Sequence, residues 1–424
     1  MYDKTVLDNG LRVITHSMPR MQSVSIGVWL GVGSRNESRD TSGIAHFLEH
    51  LVFKGSKKYS CQQIKELIEG VGGALNGFTS EEATCYFAKL PKAMQFQALD
   101  ILADMALNPL LKQSDIDKER YVILEEIKMH RDLPQSHVHD LFQELLWPGH
   151  SLGAPILGND KTILRLSRRD LASFQKKCYV SSETVIAACG RLEHKEILKK
   201  IKEKLGGLQN YSKNTFDPAP GYEQSARIRI LRKDIAQTHL ALGFYGINRD
   251  HPDKYIYSLL HVIMGANMSS RLFSEVREKR GLAYAIGTYI KGFADTGTFL
   301  IHAGVDNTKL VQAIEVIAGE LGKIKEKRVC ANELRRAKDF YIGQLSLALE
   351  STLEHMFWIG EPTLHLNKTY KFDEVLKEVK KVSACDIKRL AGEIFKAGKT
   401  RLAVIGPVKE KGEEKKLYGC LRNL

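Results

Sequence analysis

Apolar residues along this chain follow two periods. Over Ser23–Val32 the residues Val24, Ile26, Val28, Leu30 and Val32 fall at every second position, with Trp29 between them, and the run reads as a strand. Over the stretch that begins at Ile44 they recur at three- and four-residue steps (Ile44, Phe47, Leu48, Leu51, Val52), the period of a helix. Reading the chain this way predicts strands at Leu11–His16 and Ser23–Val32, with Asn9-Gly10 as the turn before the first. The helix around Ile44 comes next, then a helix from Cys61 to Val71 with Ser60 and Gln63 as its capping box. Gly72-Gly73 ends that helix. Two β-prone runs, Ala74–Thr79 and Ala83–Ala88, flank the polar turn Ser80-Glu81-Glu82 as a hairpin. Pro91 is expected to open a helix that continues over Ala93–Leu107. Further helices are predicted at Ser114–Arg131, His139–Leu146 and Lys161–Lys177, a strand at Thr184–Cys189 and a helix at Lys195–Leu205.

Gly206–Ser225 breaks both periods, with Pro218 and Pro220 in a polar run. Beyond it the order of elements repeats. Strands are predicted at Arg227–Leu231 and His239–Phe244, and helices at Tyr255–Met264 and Leu272–Lys279. A strand pair follows at Ala283–Ile290 and Phe299–Ala303. Helices at Thr308–Lys325, Asn332–Leu349 and Asp386–Phe395 and a strand at Leu402–Ile405 close the half. The reading is an α+β chain of two homologous duplicated domains, 1–207 and 223–424, joined by a linker at 208–222. Each domain is expected to be a mainly antiparallel β-sheet packed with helices. A chain of 424 residues is long enough for two such cores.

The Ile44 helix carries the chemistry. Its polar positions spell His46-Phe47-Leu48-Glu49-His50, the inverted zinc motif His-x-x-Glu-His. On a helix His46 and His50 are i,i+4 neighbours, with Glu49 close to the same face. Two imidazoles and a carboxylate suit a divalent zinc ion and a general base beside it. A catalytic site needs a third protein ligand. The acid-rich helix Ser114–Arg131 offers Asp115, Asp117, Glu119, Glu125 and Glu126. Glu119 and Glu126 are two turns apart and share a face, and spacing alone does not choose between them. The second half has no such motif at the matching helix and is expected to lack the metal site.

Composition narrows the alternatives. The seven cysteines are scattered and form no Cys-x-x-Cys, which argues against a disulfide framework and fits a reducing compartment. The net charge of +13 invites a nucleic-acid reading. The basic runs, such as Lys199–Lys204 and Lys409–Lys416, contain acids and lack interleaved aromatics, so they read as solvated faces and no nucleic-acid partner is expected. No apolar run is long enough to span a membrane, and the N-terminus reads as neither secretory signal nor transit peptide. A cytoplasmic location without membrane association is the expectation. His137 and His139 diverge on a helix and are expected to be exposed polar residues; Trp29, Trp147 and Trp358 are expected to pack.

His46–His50 followed by Phe53-Lys54-Gly55 resembles the pitrilysin family, which includes the insulinases and the mitochondrial processing peptidases; the chain is most similar to its short bacterial processing-peptidase-like members. Glu119-Arg120-Tyr121-Val122-Ile123-Leu124-Glu125-Glu126-Ile127 resembles the family's distal motif. The resemblance implies His46, His50 and Glu126 as ligands of one Zn²⁺ per chain, and Glu119 as the accessory glutamate that orients His50. It implies a zinc-dependent metalloendopeptidase, with Glu49 the general base on zinc-bound water. Gly72–Thr79 resembles the family's active-site edge strand, so Asn76, Gly77 and Phe78 are expected to bind an extended peptide. Ser269–Phe273 and Arg277–Tyr284 resemble the segment that completes the substrate site, which implies substrate-binding and catalytic roles for Arg277 and Tyr284. The family fold implies a clamshell of the two domains, short or unfolded peptides as substrates, and a homodimer. The alternative is a non-catalytic partner or scaffold subunit of a processing-peptidase-like complex; such subunits usually lose zinc-site residues that this chain keeps.

Overall fold

The computed structural model describes residues 2–210, 214–221, 225–408 and 410–422. Strands β1 (Tyr2–Val6), β2 (Arg12–Ser17) and β3 (Ser23–Leu30) lead to helices α1 (Ile44–Val52) and α2 (Cys61–Ile68). The hairpin β4 (Ala74–Thr79) and β5 (Thr84–Pro91) follows, then α3 (Gln95–Leu107), α4 (Gln113–Asp132), α5 (Pro134–Leu146), α6 (Asp160–Arg165) and α7 (Arg168–Cys178). Strand β6 (Thr184–Gly190) and α8 (His194–Leu205) close the first half. The second half runs β7 (Arg227–Arg232), β8 (Gln237–Gly246), α9 (Lys254–Met264), a π-helical turn (Phe273–Glu278), β9 (Ala283–Gly292) and β10 (Gly297–Asp306). It continues with α10 (Leu310–Glu326), α11 (Ala331–Ala348), α12 (Thr352–Leu366), α13 (Phe372–Lys381), α14 (Ala384–Ile394), β11 (Arg401–Gly406) and α15 (Glu410–Arg422).

The strands form two sheets, β1-β2-β6-β3-β5-β4 and β7-β11-β8-β10-β9. In each, one pair is parallel (β2 with β6, β7 with β11) and the other pairs are antiparallel. Matched from β2 and β7 onward, the two sheets repeat the same order, and β1 is an addition to the first. The α+β class and the duplication expected from the periods are therefore present in the fold. No described helix is long and apolar enough to cross a membrane.

Contacts divide the chain into two compact units whose main division, between Asp217 and Pro218, falls inside the expected linker 208–222, and each unit includes a segment from the other half of the sequence. One holds Met1–Lys128, Ala154–Asp217 and Ser346–Tyr370; the other holds Met129–Gly153, Pro218–Leu345 and Lys371–Leu424. The reason is that each sheet has two apolar faces to cover. In the first unit Val24, Ile26, Val28 and Leu30 of β3 join the core with α1 and α3, while Trp29 turns to the other face. There it meets Met356 and Ile359 of α12, and its Nε1–H donates to the Met356 sulfur at 3.3 Å. Gly360 lets the helix come this close, since a Cβ there would lie 2.3 Å from the indole nitrogen. In the second unit Val138, Leu141, Phe142 and Leu146 of α5 cover Ala241, Leu300 and Ala403. Each unit thus takes its covering helix from the other half of the sequence.

The expected linker is short of free chain. Asn214 Nδ2 donates to the carbonyls of Gly31 (2.9 Å) and Cys178 (3.0 Å), and Arg35 Nη2 to that of Asp217 (3.0 Å), all within the first unit. Ala219 N–H donates to Asp295 Oδ2 at 2.8 Å within the second. Only Pro218 lies between those two anchors; residues 211–213 and 222 of the expected linker lie outside the described residues.

Other departures have local causes. Pro91 ends β5 and also caps the 3-10 turn Lys92–Met94 that leads into α3, so the helix start expected there is present, its first turn 3-10 and the α-helix beginning at Gln95. Lys161–Lys177 is two helices, because Ser167 caps α7 by accepting from Asp170 N–H and Asp170 reciprocates. Leu272–Lys279 is largely π-helical. Strand β1 and helices α12, α13 and α15 were not expected. α12 contains Gly360 and Pro362, which lower helix propensity, and its burial against the sheet overrides them.

Candidate metal centre

Helix α1 is amphipathic in the sense its sequence requires. Ile44, Phe47, Leu48, Leu51 and Val52 are buried in the first unit's core, which turns the positions 46, 49 and 50 to the opposite side. Its N-cap is Gly43, which has no side chain to satisfy the first N–H groups. Glu37 supplies the missing acceptor: Oε2 receives Gly43 N–H at 2.8 Å and Oε1 receives Ala45 N–H at 2.9 Å. Helix α4 lies alongside, held by Ile116, Ile123 and Ile127 in the core. Arg120 donates to the carbonyls of Ile163 and Leu166 at the end of α6, and its guanidinium lies over the Phe47 ring of α1.

This packing brings three candidate ligand residues together. His46, His50 and Glu126 each present one ligand atom, all within 4.8 Å of one another. Glu126 Oε2 is 3.8 Å from His46 Nε2 and 3.5 Å from His50 Nε2. Ligands about 2.1 Å from a tetrahedral zinc stand about 3.4 Å apart, so these separations are close to the edges of such a site. Nδ1 of His46 is buried without a hydrogen-bond partner. Burial, then the neighbouring His50, pushes the His46 imidazole down to about 4, which leaves it neutral with a lone pair to give. His50 goes the other way. Burial opposes its charge, but hydrogen bonds to Glu126 and Glu119, and the charges of Glu126 and Glu49, raise it. The residues present fit a zinc ion.

Behind the ligands, Glu119 is buried on α4, with Oε2 3.1 Å from His50 Nδ1 and Oε1 2.7 Å from Lys54 Nζ. Glu125 turns away and pairs with Lys128 at 2.7 Å on the surface. Glu49 is partly buried beside the ligands. Burial raises its carboxyl above the ordinary range, against a 2.6 Å hydrogen bond donated by Thr79 Oγ1. Thr79 ends β4, an edge strand. On that strand Asn76 is exposed and Gly77 half-buried, while the Phe78 ring packs on Trp29, Phe87 and Phe357. Phe78 therefore offers the edge its backbone only.

Arg277 and Tyr284 form their own pair in the second unit. The Arg277 guanidinium lies 4.7 Å from the Phe273 ring centroid and 5.5 Å from that of Tyr284. The π-helical turn carries Arg277, and Tyr284 on edge strand β9 is 74% exposed, so it is not strand packing. His139 is half-buried with its ring 5.8 Å from that of His302, not exposed as its spacing suggested. Sequence reasoning missed Glu37, Lys54 and the Thr79 contact. A signal existed for the first: a helix that begins at glycine needs its acceptor from elsewhere in the chain.

Residues 12–160 match the family described as Insulinase (Peptidase family M16), and residues 165–341 match the Peptidase M16 inactive domain. The second match fits a half without the metal motif. The chain is 34% identical over 414 residues to an uncharacterized zinc protease of Streptomyces coelicolor, covering 96% of this chain and 90% of that protein. It is 35% identical over 407 residues to one of Bacillus subtilis, covering 96% and 98%. In fold it matches a protease from Helicobacter pylori, with a TM-score of 0.90 at 24% identity over 96% of this chain and 99% of that one. It also matches a chain of Complex III2 from Candida albicans, with a TM-score of 0.87 at 20% identity over 99% of each. With both halves matched and identity to these relatives sustained over nearly its whole length, the chain belongs to the insulinase family of peptidases, peptidase family M16.

Proposed function

We propose that this protein is a zinc-dependent metalloendopeptidase that hydrolyses short or unfolded peptides bound as extended strands. The observation that carries the reading is the convergence of His46, His50 and Glu126, whose ligand atoms lie within 4.8 Å of one another with Glu126 3.8 and 3.5 Å from the two imidazoles, and a partly buried Glu49 beside them. The names of the curated relatives support zinc. One Zn²⁺ per chain, held by His46 Nε2, His50 Nε2 and Glu126, would supply a Lewis acid and lower the pKa of water from about 15.7 toward 7.

The chain's own residues do the rest. Glu49 Oε2 is engaged by Thr79, which leaves Oε1 to take the proton of the attacking water. The raised carboxyl then serves as the acid that returns this proton to the leaving amine. Edge strand β4 receives the peptide by strand addition through the backbone at Asn76, Gly77 and Phe78, which tolerates many sequences. We assign substrate contact to Arg277 and Tyr284 from the family resemblance. The support here is that the Arg277 guanidinium lies 5.5 Å from the ring centroid of Tyr284, whose side chain is exposed. Removing a donor to the developing oxyanion typically costs about 2.7–4 kcal/mol of barrier.

The test is hydrolysis of quenched fluorogenic peptides of graded length by zinc-loaded protein, chelated protein and Glu49→Gln. Activity should require zinc, fall with substrate folding, and drop by about 10²–10⁴-fold in Glu49→Gln with zinc retained. A wild type that holds stoichiometric zinc and cleaves nothing would move the reading to a non-catalytic subunit.

A further inference from the structure

Thr79 is the last residue of β4 and donates from Oγ1 to Glu49 Oε2 at 2.6 Å, a charge-assisted contact between the edge strand and α1. We propose that Thr79 is the positioning residue for Glu49, tying the base to the strand on which the peptide is laid. The inference rests on the peptidase reading and assigns a role to a residue that reading does not use chemically.

Three observations place Thr79 on a rigid support. It pairs with Thr84 where the hairpin closes. The turn beyond it is locked, with Ser80 N–H donating to Ala83 O at 2.8 Å and Ser80 Oγ to the same carbonyl at 3.0 Å. Within that turn, buried Glu82 takes a 2.6 Å ion pair from buried Arg35.

The strand also comes close enough to reach the base. A Cβ at Gly77 would stand 3.1 Å from Phe53 Cζ and 3.1 Å from Tyr86 Cδ1, so the missing side chain lets β4 settle against Phe53, just past the end of α1. Gly77 and Thr79 lie two residues apart and point to one face of the strand. A peptide paired with the β4 backbone thus shares one frame with Glu49, and the register that sets the scissile carbonyl also sets the distance to the carboxylate. Without the hydroxyl, the Glu49 side chain regains rotamers in which Oε1 is out of reach of the water.

The test compares zinc-loaded wild type with Thr79→Val, which keeps the shape and loses the donor, and Thr79→Ser, which keeps the donor. In Thr79→Val kcat is expected to fall about 10–100-fold, with KM for an extended peptide and zinc content within about twofold of wild type. Thr79→Ser should return kcat to within about threefold. A Thr79→Val protein within about threefold of wild type in kcat, or a Thr79→Ser protein as impaired as Thr79→Val, overturns the proposal. Crystal structures of the three proteins give a readout without turnover: the Glu49 carboxylate should leave its place in Thr79→Val and return in Thr79→Ser. If the wild type hydrolyses no peptide, the peptidase reading fails, and an unmoved Glu49 in Thr79→Val would separately refute the positioning role.

Discussion

Glu119 holds His50 by its far nitrogen: Oε2 lies 3.1 Å from Nδ1, while Nε2 of the same ring faces Glu126 at 3.5 Å. A carboxylate at Nδ1 fixes the tautomer with the proton on Nδ1 and the lone pair on Nε2, and makes the ligand more basic. Lys54 holds the other oxygen of Glu119 at 2.7 Å, so the carboxylate is fixed from both sides. Glu119→Gln should weaken zinc binding by about 10–100-fold while the fold persists. Competition with a chelator of known affinity measures this. An unchanged affinity would leave Glu119 as an ordinary buried acid.

The neighbouring glutamates of α4 separate ligand from surface. Glu126→Gln removes an oxygen from the three-ligand cluster and should strip most of the zinc. Glu125→Gln removes only an exposed pair with Lys128, in which both side chains are more than half exposed and solvent screens the attraction. Metal analysis after dialysis should show the loss in Glu126→Gln alone. The reverse order would move the ligand to Glu125.

How much of this was legible depends on where the cause sits. The α1 period and its motif are local, so the helix Ile44–Val52 and the placing of His46 and His50 on one face of it followed from spacing alone. Glu126 against Glu119 did not, because both lie on one stripe of α4 and only packing against α1 decides which oxygen reaches the ligands and which lies behind His50. The family resemblance made that choice; in the fold Glu126 Oε2 lies 3.8 and 3.5 Å from the two Nε2 atoms, and Glu119 Oε2 lies 3.1 Å from His50 Nδ1. Helix α12 was not legible because Gly360 and Pro362 speak against a helix locally, and what favours it is the Trp29 face of a sheet more than three hundred residues earlier. Helix α5 was expected at His139–Leu146, but not which sheet it covers, because the order of elements does not say where a helix will pack.

Zinc competes with protons for the imidazoles, and the two histidines differ in sign. His46 is pushed down to about 4, so near neutrality it has no proton to lose. His50 is raised above 6.5, so below its own pKa one proton must leave Nε2 before the metal can bind. Zinc affinity should therefore be flat above the His50 pKa and fall about tenfold per pH unit below it. A second proton should enter only near pH 4, when His46 begins to charge. Chelator competition from pH 5 to 8, corrected for the chelator's own protonation, gives the slope. Two protons displaced between pH 5 and 6.5 would mean that His46 is not depressed.

Glu37 is the remaining residue on which α1 depends. A nine-residue helix has about two and a half turns, and Gly43 offers its first N–H groups nothing. Both Gly43 and Ala45 are buried, so water does not readily replace the Glu37 oxygens. Glu37→Ala should cost about 1–3 kcal/mol, above a surface cap because two buried donors lose their acceptor together. His46 is the third residue of α1, in the turn that would fray, so the same change should weaken zinc binding at His46 more than at His50, whose Glu119 contact lies a turn further on. Denaturant midpoints of the metal-free protein measure the first effect. Zinc should recover part of the loss, since binding to the folded state alone stabilises it by mass action. Glu37→Gln keeps one acceptor oxygen and should fall between the two. A Glu37→Ala protein as stable as wild type would show that α1 is held by its apolar face alone.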